Sequence, residues 1–247
     1  MAMTVIGSFV SPYVRKVLAC LELKGLDYAV DPITPFFGND EFTKLSPLRR
    51  IPVLIDGETV LSDSSVICAY LDEAYEGYRL LPENPRDRAR SRWFEEFADT
   101  RLGDLFIWGL FYQKVVRRLV WSEGPDEDRV HKTLEEDAPA ALDYLEGELP
   151  QAGYLFGPLG LADIALASFF ANASYAGFTP DPARWPKVAR FVGAVLAEPV
   201  FRTLMGFEAI QMSTTIQGRR QALLEAGANL TEETWATREP RRGIMAL

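Results

Sequence analysis

The stretch Ser8-Phe9-Val10-Ser11-Pro12-Tyr13-Val14-Arg15-Lys16-Val17-Leu18 decides the fold. An apolar run, Val5-Ile6, stops before it at Gly7-Ser8. Beyond Pro12, the residues Val14, Val17, Leu18 and Leu21 recur at helical spacing. That pattern predicts a strand, a tight loop and a helix. Ser11 stands where an N-cap belongs and Pro12 where the first helical residue belongs. A hydroxyl there caps the helix, or it faces a ligand anion drawn to the helix's positive end. Gly25 supplies the C-terminal stop.

Working outward, Asp27-Tyr28-Ala29-Val30-Asp31 alternates as a second strand, so the unit is strand–helix–strand. Pro32 and the run from Pro35 to Gly38 are loop signals. Asp40 to Leu45 predicts one short helix, and Ser46-Pro47-Leu48-Arg49-Arg50 a polar, basic turn. From Ile51 to Leu61 two strands meet at Asp56-Gly57, a strong hairpin signal. Ser64 is expected to cap a helix with Val66, Ile67, Tyr70 and Leu71 on one face. The N-terminal part therefore reads βαβ, short helix, ββα: a small sheet with helices on its faces.

After Leu80-Leu81-Pro82-Glu83-Asn84-Pro85 strand signals vanish. Helical patterns cover 86–119, 126–149, 161–176 and 184–196, and Glu198-Pro199 starts another, short one. The expected domains are 1–79, α/β; 86–210, all-helical; and a C-terminal extension, 211–247. The extension holds a possible helix from Gln217 to Ala226, then Trp235 and a late Ile244-Met245. It reads either as a surface helix with a frayed tail or as a flap over a cleft.

The bulk numbers bound the function. The 247 residues are 48% hydrophobic and 25% charged, as in a globular protein, with a formal net charge of -9. So acidic a chain is a poor partner for nucleic acid. No apolar run spans a bilayer, and no signal segment opens the chain. The expectation is therefore a cytoplasmic protein without a membrane partner. Cys20 and Cys68 fall in helical apolar patterns and read as reduced core thiols. One histidine, His131, and two scattered cysteines argue against a metal site. His131 lies among Glu, Asp and Lys and reads as a solvated side chain.

Two further places add weight to Ser11. Arg50-Ile51-Pro52 sets a basic residue beside an X-Pro bond at a strand start, a bond open to the cis form. A backbone fixed there presents the N–H and C=O of Ile51 to a bound peptide by strand addition; alternatively Pro52 only ends a loop. Asp63-Ser64 precedes a helix, either as an ordinary cap or as a site for an amino-acid head group. In the second case Ser64 and the helix end take a carboxylate, and Asp63 takes an ammonium.

In this order and spacing, Ser-Pro-Tyr-Val-Arg-Lys-Val, Arg50-Ile51-Pro52-Val53-Leu54 and Leu61-Ser62-Asp63-Ser64-Ser65-Val66-Ile67 resemble the N-terminal domain of cytosolic glutathione transferases. Tyr70-Leu71-Asp72-Glu73-Ala74-Tyr75 and Leu80-Leu81-Pro82 strengthen the match, which is most similar to the serine-type, tau/omega-like branch. The resemblance extends to about residue 205, where Gly160-Leu161-Ala162-Asp163 is similar to the family's helix-capping motif, with Gly160 in place of the usual Ser or Thr.

The resemblance implies a thioredoxin-like α/β domain followed by an all-α domain, a homodimer, and glutathione as co-substrate in detoxification. It implies that Ser11 bonds the glutathione sulfur, that Ile51 beside a cis Pro52 meets the cysteinyl unit, and that Asp63 and Ser64 take the γ-glutamyl end. It places Arg50 near the glycine end. Tyr13, Trp108, Phe111 and Tyr112 would line an apolar pocket for a hydrophobic electrophile, or are simply core. Ser8 is a second candidate hydroxyl, though Ser11 is the better cap. Members of the omega-like group carry Cys at the Ser11 position, so disulfide exchange is disfavoured. Arg49 stands where a small residue is usual. A glutathione-dependent lyase or etherase acting on an aromatic substrate, and a non-enzymatic binding module, are the alternatives to a transferase.

Overall fold

A computed structural model describes residues 3–242. Ile244 and Met245 lie outside the described residues. The chain divides into two compact units, Met1–Arg79 with Pro199–Leu247, and Leu80–Glu198.

In the first unit β1 (Met3–Ile6) leads into α1 (Pro12–Lys24), then β2 (Tyr28–Asp31), a 3-10 turn at Pro35–Phe37 and α2 (Asp40–Leu45). The hairpin β3 (Val53–Asp56) and β4 (Thr59–Leu61) follows, and then α3 (Ser64–Ala74). Among the described residues the sheet has four strands in the order β2-β1-β3-β4, with β1 parallel to β2 and antiparallel to β3. The register pairs Val5 with Val30 and with Leu54, so the buried faces align.

Local chemistry explains α1. Ser11 has extended backbone angles and its Oγ accepts from Val14 N–H, Pro12 opens the helix, and Gly25 closes it at φ 65°. The helix is buried from Val14 to Leu21, including Arg15 and Lys16. Long-range partners satisfy these two cations. Arg15 forms a two-pronged bond with Glu208 at 2.5 and 2.6 Å, with neither side chain exposed to solvent. Lys16 Nζ donates to Ser65 Oγ at 3.2 Å.

Glu208 belongs to α9 (Pro199–Ser213), a helix of fifteen residues rather than the short one expected. It lies with the sheet unit, and the helical unit ends at Glu198, whereas the sequence pattern ran to residue 210. The physical reason is the side chains that α9 turns toward α1. Besides the Glu208 pair, Gln211 accepts from Ser8 Oγ and donates to Pro32 C=O, both at 3.1 Å, and the Phe207 ring packs tilted against Phe9 with centroids 5.2 Å apart. The extension continues through α10 (Arg219–Glu225) and then runs along β2.

The second unit is helical. It begins with α4 (Pro85–Phe97), capped by Asn84 and continued by a π-wound segment, Ala98–Trp121. Next come α5 (Glu127–Lys132) with a short π-wound continuation, α6 (Ala138–Glu148), α7 (Leu161–Tyr175) and α8 (Pro186–Leu196). The helix α7 is apolar on all sides and is buried from Leu161 to Ala173. Asp163 starts it, accepting from Leu155 N–H at 2.9 Å and Gly160 N–H at 2.8 Å. Cys20 and Cys68 are buried and unlinked, and His131 is exposed on α5. Among the described residues no helix is long and apolar enough to cross a membrane.

Candidate active site

The three motifs are tied together within the sheet unit. Gly7, which follows β1, has no room for a side chain. A Cβ there would lie 2.4 Å from Val14 Cγ2 and 3.2 Å from Ile51 Cβ. The loop before α1 thus packs directly on Ile51. The Lys16–Ser65 bond then joins α1 to the first turn of α3. The starts of two helices and the Ile51-Pro52 bond therefore gather beside the sheet.

At this place Ser11 is half-buried, and its Oγ···N distance to Val14 is 3.4 Å, a long cap bond that leaves the second oxygen lone pair and the hydroxyl hydrogen available. Ser8 differs. It is 4% exposed, donates to Gln211, and accepts from Val10 N–H. Its hydroxyl is committed inward, while that of Ser11 is not.

The Ile51-Pro52 peptide is cis. Among the described residues the backbone N–H and C=O of Ile51 have no partner. The preceding turn is held by Ser46, a buried residue that the sequence reading passed over. Its hydroxyl accepts from Arg50 N–H at 3.0 Å and donates to Arg50 C=O at 2.8 Å. The Arg50 side chain is exposed. Arg49 sits at φ 51°, a left-handed conformation that favours glycine over a residue with a side chain. Its 6% exposed side chain justifies the arginine. The guanidinium donates to Gly38 C=O at 2.6 Å and to Thr43 Oγ1, and lies over the Phe42 ring.

At α3 the structure corrects the expected cap. Asp63, not Ser64, is the N-cap: its Oδ1 accepts from Ser65 and Val66 N–H at 2.9 and 3.0 Å. Ser64 is the first helical residue, and its hydroxyl has no partner among the described residues. A carboxylate satisfies the two donors without help, which frees Ser64. Asp63 is exposed, and its Oδ2 remains available.

In the helical unit Trp108 and Tyr112 are half-buried neighbours one turn apart, with ring centroids at 5.5 Å. Phe111 is buried and pairs with Tyr175 at 6.5 Å, as a core residue does. Tyr13, in the sheet unit, is half-buried.

The site residues that sequence reasoning missed are Ser46, Arg15, Glu208 and Gln211. Only Ser46 carried a local signal, its place at the head of a turn.

The chain is similar to known proteins in both units. The glutathione S-transferase N-terminal domain matches residues 5–79, and the glutathione S-transferase C-terminal domain matches residues 115–194. A probable glutathione S-transferase from Glycine max is 31% identical over 164 residues, 65% of this chain and 66% of that protein. Maleylacetoacetate isomerase from Pseudomonas aeruginosa is 29% identical over 194 residues, 76% of this chain and 88% of its own length. The solved structure of glutathione S-transferase III in apo form is 30% identical, covers 83% of this chain and 96% of that one, and superposes with a TM-score of 0.69. Both halves of the chain and the order of its elements agree with these matches: the chain belongs to the glutathione S-transferase family.

Proposed function

We propose that this chain is a serine-type, tau-like glutathione transferase that activates the glutathione thiol through Ser11 and presents it to a hydrophobic electrophile. The observation that carries the reading is three polar groups that keep hydrogen-bonding capacity beside the same sheet. They are the Ser11 hydroxyl at the start of α1, the Ile51 backbone beside the cis Pro52, and the Ser64 hydroxyl at the start of α3. Together they suit a tripeptide. Ile51 pairs with its cysteinyl unit as a short added strand. The start of α3 and Ser64 take the γ-glutamyl carboxylate, and Asp63 Oδ2 takes the ammonium. Arg50, exposed on the turn, suits the glycine carboxylate.

Ser11 then faces the sulfur. A free thiol has a pKa of about 8.5 and is mostly protonated at neutral pH. A hydroxyl donor and a positive helix end both favour the thiolate and lower that value by about one to two units. The thiol proton leaves to solvent. The sulfur electron pair forms the bond to carbon, and the leaving group departs with its own pair or, in an addition, the electrons move onto the acceptor. Trp108 and Tyr112, in the helical unit, combine half-burial with a polar atom and suit an apolar electrophile better than Phe111 does; Tyr13, in the sheet unit, is also half-buried and suits the same chemistry. A cytoplasmic homodimer without a nucleic-acid partner completes the reading.

Titration calorimetry with glutathione tests it, followed by turnover against a panel of model electrophiles and aryl ethers. Binding with conjugation supports the transferase. Binding without turnover favours a binding module, and ether cleavage favours a lyase. Absence of binding at millimolar glutathione contradicts the enzymatic readings together.

A further inference from the structure

The strand β2 is at the end of the sheet, yet its outer side is covered. Val30 N–H donates to Asn229 C=O at 2.9 Å, and Val30 C=O accepts from Thr231 N–H at 3.1 Å. Asn229 Nδ2 donates to Tyr28 C=O at 2.6 Å. The chain then winds around Asp31, a carboxylate only 1% exposed. Asp31 accepts from Trp235 N–H and Thr234 Oγ1, both at 2.8 Å, and pairs with Arg220 at 3.4 Å. Farther on, Trp235 C=O accepts from Asn39 N–H at 2.8 Å, Thr237 N–H donates to Phe37 C=O, and Arg241 N–H donates to Phe36 C=O at 2.8 Å.

This segment grips the loop before α2 from outside. Arg49 grips the same loop from inside, through Gly38 C=O and, more weakly, Pro35 C=O at 3.4 Å. The Trp235 side chain packs on a cluster of Ile6, Ile33, Phe42 and Val53, and Ile51 packs on that same cluster. The loop contains Pro32, Pro35 and Gly38; its internal backbone bonds are short-range ones such as Phe37 N–H to Thr34 C=O at 3.0 Å and Gly38 N–H to Pro35 C=O at 3.2 Å, and a segment held by such bonds opens locally when its outside partners are removed. Opening would release Phe42 and Arg49, and with them the turn that sets the Ile51 backbone.

We propose that Asn229–Arg241 is a positioning strap. It holds the Arg50–Ile51 backbone in the geometry that accepts glutathione, acting through Phe42 and Arg49. The inference rests on the glutathione reading above and adds the dependence on the strap. Because apparent affinity scales with the fraction of competent conformers, loosening the strap weakens glutathione binding rather than the chemical step.

The test uses the full chain with Trp235→Ala, Trp235→Phe and the milder Thr234→Val, which removes a donor to Asp31 while keeping shape. Glutathione affinity is read by calorimetry, and amide hydrogen exchange is followed over residues 32–51. Trp235→Ala is expected to bind glutathione about tenfold more weakly and to raise its KM equally, with kcat at saturation within about twofold of the parent. Exchange over residues 32–51 should accelerate, and Trp235→Phe should restore both readings. If Trp235→Ala does not fold, Thr234→Val carries the test with a threefold to fivefold loss. Faster exchange with unchanged affinity and KM would overturn the proposal, reducing the segment to an edge cover. If the parent binds no glutathione, the reading of the site fails instead. The strap is then judged by exchange, and unchanged protection of residues 35–51 in the variants overturns it.

Discussion

Asp163 offers a prediction whose sign runs against intuition. It is 1% exposed, and its two oxygens accept from two different donors, Leu155 N–H on Oδ1 and Gly160 N–H on Oδ2. Burial outweighs these bonds and pushes its pKa up from 3.8 to about 6. Between those values the folded protein holds a proton that the unfolded chain has released. The contribution of Asp163 is therefore largest below about pH 4 and is lost as the pH rises through about 6. At about 1.4 kcal/mol per unit the swing is roughly 3 kcal/mol.

Asp163→Ala strands two partly buried donors and costs about 2 kcal/mol at neutral pH, the lower end for such groups because water reaches them. Its gap from the parent should widen on acidification to roughly 4–5 kcal/mol, since only the parent gains on protonation. Asp163→Asn keeps one acceptor but sets its NH2 against the second donor, costing about 1 kcal/mol at neutral pH, and its own stability lacks this titration. Urea unfolding of the parent and both variants, at about pH 7 and about pH 4.5, checks this, because their differences cancel the other carboxylates. A gap that narrows in acid would refute the reasoning on burial, and no gap at all would refute the capping role.

Three other predictions follow from packing. Glu208→Ala leaves the Arg15 guanidinium buried without its carboxylate and should cost about 3–5 kcal/mol in urea unfolding, while the double variant Arg15→Met with Glu208→Leu recovers most of it. Losses under about 1 kcal/mol would show the pair to be dispensable. Gly160→Ser supplies the hydroxyl a helix N-cap favours, but its Cβ would lie 3.1 Å from Leu80 C=O, which Leu161 N–H holds at 2.9 Å. The cap's gain of about 1 kcal/mol is therefore offset, and a variant clearly more stable than the parent would contradict this. Gly7→Ala drives a methyl into Val14 and Ile51 and should cost about 1–3 kcal/mol together with glutathione affinity, partly relieved by Val14→Ala.

What the sequence disclosed depended on range. The start and end of α1 rest on neighbours in the chain, Ser11, Pro12 and Gly25, and local rules suffice for them. The hairpin at Asp56-Gly57 and the helical second half rest on turn chemistry and periodicity, which are local as well. The placement of α9 was not legible in this way. It depends on Arg15 meeting Glu208 across 193 residues, and charge in a helical pattern reads as a solvated face until its partner is seen. The strap was hidden for the same reason: its bonds are mostly to backbone, which any sequence supplies. At α3 the spacing could not separate Asp63 from Ser64, since either makes a cap. The answer lay in which side chain met Ser65 and Val66 N–H. Arg49 looked anomalous because its backbone angle and its buried guanidinium are separate facts, and only the second explains why a large residue bears the first.

The central claim is that Ser11 makes glutathione a thiolate. The most direct measurement is the pH titration of thiolate absorbance for glutathione bound to the parent, to Ser11→Ala and to Ser8→Ala. The account predicts a bound thiol pKa about one to two units below that of free glutathione in the parent and in Ser8→Ala, and a clearly smaller shift in Ser11→Ala, where only the positive end of α1 remains. An unshifted thiol in the parent, or a shift that survives Ser11→Ala and disappears with Ser8→Ala, would contradict it.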